Sequence, residues 1–197
     1  MTNVSQLFPV TLSCEWEHTG FEHLSESLKH WLLDPNSLTA RLKSQAKTFK
    51  VVVVGQTQSL CNEQEACSFI PAYEPILIRE VILYCDDQPQ VFARSLLPLS
   101  SLTGEEASLS TLGDVPLGQV IFNNTNLVRG DISVGCFDQN SSVAQLAKQL
   151  DLPQQEKLWG RRSLFFLHDK PLSVAEVFLP KAFAYQPELN NKGQASK

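Results

Sequence analysis

Two stretches of twenty residues limit what this chain can fold into. Residues 79–98, REVILYCDDQPQVFARSLLP, and residues 161–180, RRSLFFLHDKPLSVAEVFLP, match at a constant offset. Arg79 falls on Arg161, Asp87 on Asp169, Pro89 on Pro171, Leu97 on Leu179 and Pro98 on Pro180. Each stretch is an apolar run, a polar turn and a second apolar run, the pattern of a β-hairpin. Two related hairpins would give this match, and so would the likeness that any apolar hairpins with a D-x-P turn share. Both readings lead to an antiparallel sheet.

The rest of the chain adds helices without a regular βαβ alternation. Phe21, Leu24, Leu28, Trp31 and Leu32 recur at helical spacing, so residues 21–33 are expected to form an amphipathic helix. Asp34-Pro35-Asn36-Ser37 ends it, and Leu38, Leu42 and Ala46 mark a second short helix. Phe49–Val54 is rich in β-branched residues and is expected as a strand, with a loop over 55–75. Thr103-Gly104-Glu105-Glu106 matches a capping box that opens a short helix. Pro116 suits the first turn of another, with Val120, Ile121 and Phe122. Leu127–Val134 is a further strand, and residues 138–157 are a polar insert with one helix near Val143–Leu150. The expected fold class is α+β: a single domain over residues 1–185, an antiparallel sheet with helices, and a polar tail over 186–197.

Composition excludes several function classes. The formal net charge is -5, and an acidic chain without a basic patch repels nucleic acid. Lys43, Lys47 and Lys50 are spaced like a solvated helix face running into a strand. The start of the chain lacks a basic segment followed by a long apolar one, so no membrane insertion and a cytoplasmic location are expected. The five cysteines include no C-x-x-C pair, and the four histidines are scattered, so no metal is expected.

Charges inside apolar strands are the candidate functional residues. Arg79-Glu80 interrupts the run 76–84, and Glu176 interrupts 174–179. A buried charge needs access to solvent or a partner, which a side chain or a ligand can supply, and neighbouring strand residues point to opposite faces. With two-residue turns at Asp87-Gln88 and Asp169-Lys170, Arg79, Val81, Arg94 and Leu96 share one face of the first hairpin. Glu176, Ser163 and Phe178 share one face of the second. Such faces could frame a pocket with a guanidinium for a carboxylate and a carboxyl group. A ligand-free Arg79–Glu176 ion pair, or one charge on an exposed sheet face, fits the same spacing. Leu38 and Leu117 stand at helix starts, where free backbone N–H groups attract anions, although ordinary core packing would account for both.

These segments resemble the chorismate lyase family. The resemblance runs through Ile78-Arg79-Glu80-Val81-Ile82-Leu83, Ala93-Arg94-Ser95 with Pro98, Pro116-Leu117-Gly118, Leu158-Trp159-Gly160-Arg161-Arg162-Ser163 and Ala175-Glu176-Val177-Phe178-Leu179-Pro180, in the family order. It implies helical flaps over a buried site and the conversion of chorismate to 4-hydroxybenzoate and pyruvate without a cofactor, toward ubiquinone. Carried over, Arg79 would bind the carboxylate, Glu176 would contact the 4-hydroxyl, and Leu38 and Leu117 would line the site with their backbone N–H groups. Arg79 and Glu176 would be catalytic. Leu38 stands where the family pattern has a methionine. A monomer is expected. The rival reading is a non-catalytic ligand-sensing domain of similar fold, which would need the Arg grip but no chemistry.

Overall fold

The computed structural model describes residues 4–187. The expected tail therefore lies, from residue 188 onward, outside the described residues. In chain order the principal elements are β1 (Trp16–Glu17), α1 (Glu26–Leu32), α2 (Leu38–Ser44), β2 (Phe49–Leu60), β3 (Pro75–Cys85), β4 (Gln88–Pro98), a 3-10 helix (Gly104–Thr111), α3 (Leu117–Phe122), β5 (Leu127–Asp138), α4 (Ser142–Gln149), β6 (Lys157–Leu167) and β7 (Lys170–Phe178), with single short 3-10 turns at Val4–Leu7 and Phe183–Tyr185. The strands form one antiparallel sheet in the order β1-β5-β6-β7-β4-β3-β2. The α+β expectation holds.

Both faces of the central strands are covered, which is why β3 and β4 read as near-continuous apolar runs rather than alternating ones. On one face, Val81, Leu83, Ala93 and Phe178 pack under Leu28, Trp31, Leu38 and Leu42 of α1 and α2. Next to them, Leu77, Leu97, Phe165 and Val174 pack under Leu109, Leu117 and Ile121 of the 3-10 helix and α3. On the other face, Ile82, Phe92, Ala175 and Val177 pack against Val143 and Leu146 of α4 and against Val10 and Leu12 near the start of the chain.

Several boundaries differ from the sequence expectation, each for a local reason. Helix α1 begins at Glu26 because the Ser25 side chain accepts from the Leu28 N–H, which caps it and leaves 21–25 outside. Strand β2 runs on to Leu60 because β3 is long enough to pair with it throughout. Thr103 makes no side-chain cap bond, and the segment behind it is a 3-10 helix, not a boxed α-helix. Strand β5 continues to Asp138 beside β6.

The turn of the first hairpin corrects the expected faces. It lies at Asp86-Asp87, with φ of 47° and 60°. Tyr84 pairs with Pro89 but Leu83 pairs with Val91, so Gln90 is an extra residue. This bulge shifts every later pair by one and so exchanges faces. Arg79 is opposite Ser95, and Glu80 is opposite Arg94. Arg94 therefore leaves the Arg79 face. The second hairpin turns at His168-Asp169 without a bulge, and Arg161 pairs with Glu176 and Ser163 with Val174. Ser163, Glu176 and Phe178 share a face, as expected.

Candidate active site

Two cross-strand rows build the site. One runs Arg161–Glu176–Ala93–Val81 through β6, β7, β4 and β3; the next runs Ser163–Val174–Ser95–Arg79. Strands lie about 4.8 Å apart and two residues along a strand span about 6.8 Å, so the Arg79 and Glu176 Cα atoms are roughly 12 Å apart. Their side chains enter one cavity from opposite ends. It has a volume of about 30 Å³ and is bounded by Arg79, Ser95, Arg161, Phe165 and Glu176 on the sheet and by Leu38, Thr39, Pro116, Leu117 and Gly118 on the helices. The four residues singled out from sequence, Leu38, Arg79, Leu117 and Glu176, all line it.

Helices α2 and α3 close over this cavity. A Cβ on Gly118 would lie 3.1 Å from the Thr39 Oγ1, so glycine lets the helices approach. Lys43 Nζ donates to Gln119 Oε1 at 2.6 Å, so this exposed lysine links the two helices and is more than part of a solvated face.

Arg79 is 2 % exposed. Its Nη2 donates to the carbonyls of Gly113 (2.9 Å) and Val115 (3.1 Å), which tie the segment leading into α3 to the sheet. Its Nε is buried without a hydrogen-bond partner, and burial lowers the guanidinium pKa from its ordinary value. A buried cation with an unused donor is costly unless an anion meets it.

Glu176 does not pair with Arg79. Arg161 Nε donates to its Oε2 at 2.8 Å. Arg161 Nη1 also donates to the carbonyls of Asp34 (2.6 Å) and Trp31 (3.2 Å), at the α1–α2 connection. Arg129 reinforces that connection from β5. Its Nη1 donates to Pro35 O at 2.7 Å and its Nη2 to Ser163 Oγ at 2.6 Å, with its guanidinium 5.0 Å from the Phe165 ring centre. Burial, and then the charge of Arg161, push the Arg129 pKa down to about 10. Gly160 precedes Arg161 because a Cβ there would come within 2.9 Å of the Glu176 carbonyl. Sequence reasoning used the W-G-R-R-S motif as a signature and missed the contact of Arg161 with Glu176. The shared offset of Arg79 and Arg161 was the available signal, since both equivalent arginines enter the same cavity.

Glu80 and Arg94 meet on the opposite face. Arg94 pairs with Glu80, and its Nε and Nη2 reach Glu65 at 2.5 and 2.7 Å. Glu80 also accepts from the Val10 N–H at 2.9 Å. This network ties the first residues of the domain to the sheet and has no part in the cavity. Arg162 also turns away, to lie 4.9 Å from the Trp16 ring centre.

One group of metal-ligand type comes together from distant sequence. Ligand atoms of Glu105, Glu106 and His168 lie within 4.8 Å of one another. Lys170 Nζ donates to Glu106 Oε2 at 2.6 Å, and His168 Nδ1 lies 2.7 Å from Glu106 Oε1. The lysine already supplies a cation to Glu106, and the group joins the 3-10 helix to the β6–β7 turn. Its hydrogen bonds with Lys170 and His168 hold the Glu106 carboxyl down at about 2. Among the described residues no helix is long and apolar enough to cross a membrane.

An antiparallel sheet with α1, α2 and α3 over one face and α4 on the other is the fold shared with solved effector and ligand-binding domains. The effector domain of PhnF from Mycobacterium smegmatis superposes with a TM-score of 0.54 at 16% identity, covering 73% of this chain and 88% of that one. The ligand-binding domain of a putative GntR-family regulator from Bordetella bronchiseptica gives 0.53 at 16% identity, covering 73% and 91%. These likenesses concern the fold alone. The family follows from sequence. The chorismate lyase family model matches residues 13–187. A protein named probable chorismate pyruvate-lyase in Pseudoalteromonas translucida is 43% identical over 183 residues, covering 90% of this chain and 98% of the relative. One of the same name in Psychromonas ingrahamii is 40% identical over 163 residues, covering 83% and 88%. The chain belongs to the chorismate lyase family and is a lyase with chorismate as its substrate.

Proposed function

We propose that the chain splits chorismate into 4-hydroxybenzoate and pyruvate in this cavity, without a cofactor, as a cytoplasmic monomer whose product leads toward ubiquinone. The observation that carries the proposal is one cavity lined both by Arg79, whose buried Nε is unsatisfied, and by the carboxylate of Glu176. Arg79 takes the ring carboxylate by charge-assisted hydrogen bonds. A ring held there points its 4-position at Glu176. The C3–O bond breaks, the C4 hydrogen leaves, the ring becomes aromatic, and the enolpyruvyl group departs to become pyruvate on gaining a proton at its CH2 carbon. Aromatisation drives the reaction, so the residues mainly position the ring and stabilise developing charge. Glu176 acts on the C4 hydrogen or polarises the 4-hydroxyl. Leu38 and Leu117 bear on the ring from the first residues of α2 and α3.

A cavity of about 30 Å³ is far smaller than the ~150 Å³ that accepts benzene. Entry and release therefore need α2 and α3 to part, against the Lys43–Gln119 bond and the packing at Gly118. Purified protein is mixed with chorismate, and both products are quantified. Equal amounts of 4-hydroxybenzoate and pyruvate are expected. Tight binding of 4-hydroxybenzoate with no turnover would leave a ligand-binding domain and overturn the proposal.

A further inference from the structure

Chorismate carries two carboxylates, one on the ring and one on the enolpyruvyl ether, whereas 4-hydroxybenzoate carries one. We propose that Arg161 binds the second carboxylate, so that the cavity distinguishes substrate from product at this residue. The inference rests on the reading of the cavity as the chorismate site, with the ring carboxylate on Arg79.

Position is the first argument. With C1 at Arg79, C4 lies at the Glu176 end, and C3 with its ether is the neighbouring ring carbon. The enolpyruvyl carboxylate then also falls at the Glu176 end. Arg161 is the cross-strand partner of Glu176, on the side away from Ala93 and Val81, and it lines the cavity. Charge is the second. The lining sets two guanidiniums, Arg79 and Arg161, against the single carboxylate of Glu176. The two lining guanidiniums give one cation for each carboxylate of chorismate, one more than the monoanionic product can occupy. The third argument is the hydrogen bonding of Arg161 itself. It is 1 % exposed, and its contacts engage Nε and Nη1. None of these hydrogen bonds uses Nη2, which leaves one arm for an anion.

The other arginines fit less well. Arg129 uses Nη1 and Nη2 on backbone carbonyls and Ser163; its Nε is buried without a partner, but the residue is not part of the lining. Arg94 and Arg162 belong to the opposite face. Binding at Arg161 has a chemical consequence. A carboxylate on Nη2 shares the guanidinium's charge with Glu176, which weakens the Nε–Oε2 bond and lets Glu176 turn to C4. After cleavage, loss of pyruvate restores the Arg161–Glu176 pair.

The test uses three aromatic probes and affinity measured by calorimetry. They are 4-hydroxybenzoate, 3-(carboxymethoxy)-4-hydroxybenzoate, and 3-(carbamoylmethoxy)-4-hydroxybenzoate, in which an uncharged amide replaces the second carboxylate and the ring carboxylate stays. The wild-type protein should favour the acid over the amide by about tenfold or more, the scale of a charge-assisted hydrogen bond. Arg161→Gln should erase that preference while 4-hydroxybenzoate affinity changes far less. Arg161→Lys should keep part of the preference, and decides the matter if Arg161→Gln does not fold. Arg129→Gln should leave the preference in place. No acid preference in the wild type, or one that survives Arg161→Gln or is lost in Arg129→Gln alone, overturns the inference. Failure of 4-hydroxybenzoate itself to bind would overturn the underlying reading of the cavity as well.

Discussion

Replacing Arg79 with methionine should separate binding from stability. The Met stem can follow the same channel, and the variant removes a guanidinium that burial disfavours. It also loses two hydrogen bonds, to Gly113 and Val115. Losing donors to carbonyls costs about 1.5–3 kcal/mol each, and leaving a cation buried costs several kcal/mol, so the two largely offset. Without ligand the variant should therefore melt close to the wild type. With 4-hydroxybenzoate the balance is one-sided. Losing the charged partner of a buried carboxylate costs roughly 2–5 kcal/mol, about 30- to 4000-fold in Kd. At a product concentration about 100 times the wild-type Kd, the wild type gains about 2.7 kcal/mol and the variant under about 1 kcal/mol. Thermal melts with and without product, plus calorimetric affinities, read both numbers on one preparation. Lys47→Ala is the surface control, because Lys43 joins α2 to α3. An affinity of Arg79→Met within about threefold of the wild type would refute the reasoning.

Two further outcomes follow from residues outside the cavity. Arg94→Met leaves Glu65 and Glu80 buried without their cation, so it should destabilise the fold by about 3–5 kcal/mol in urea titrations. Product affinity of its folded fraction should stay unchanged; a large loss would return Arg94 to the site. The Glu106 carboxyl is held at about 2, below its ordinary 4.5. Its contribution is complete above pH 4.5 and fades as pH falls toward 2, so the stability gap between wild type and Glu106→Gln should narrow over that window. A gap that widened in acid would contradict the assignment.

The central hairpins were legible because apolar runs with turn residues at fixed positions leave few alternatives. Their faces were not equally legible. The second hairpin has no bulge, so Ser163, Glu176 and Phe178 fell together as the spacing implied. In the first hairpin the side chain of Gln90 looks like any other polar residue beside a turn. Its carbonyl accepts from the Leu179 N–H and its Oε1 from the Phe183 N–H, contacts some ninety residues away that hold the bulge. No local pattern contains that information, and it sent Arg94 to the other face. Arg161 was hidden for a related reason. Its partners, Glu176 and the carbonyls of Trp31 and Asp34, come from β7 and from the α1–α2 connection. Leu38 and Leu117 were found through the family resemblance, since as isolated leucines at helix starts they look like core residues.

Glu176→Gln gives the most direct measurement of the claim that this cavity performs the chemistry. The amide nearly matches the carboxylate in shape, and can still accept a hydrogen bond from a 4-hydroxyl and from Arg161. Chorismate turnover and 4-hydroxybenzoate affinity are measured on the same folded preparation. Turnover should fall by about 100-fold or more, the scale of general acid–base catalysis, with product affinity partly retained. Near-normal turnover would contradict the account and leave only positioning by Arg79 and the backbone.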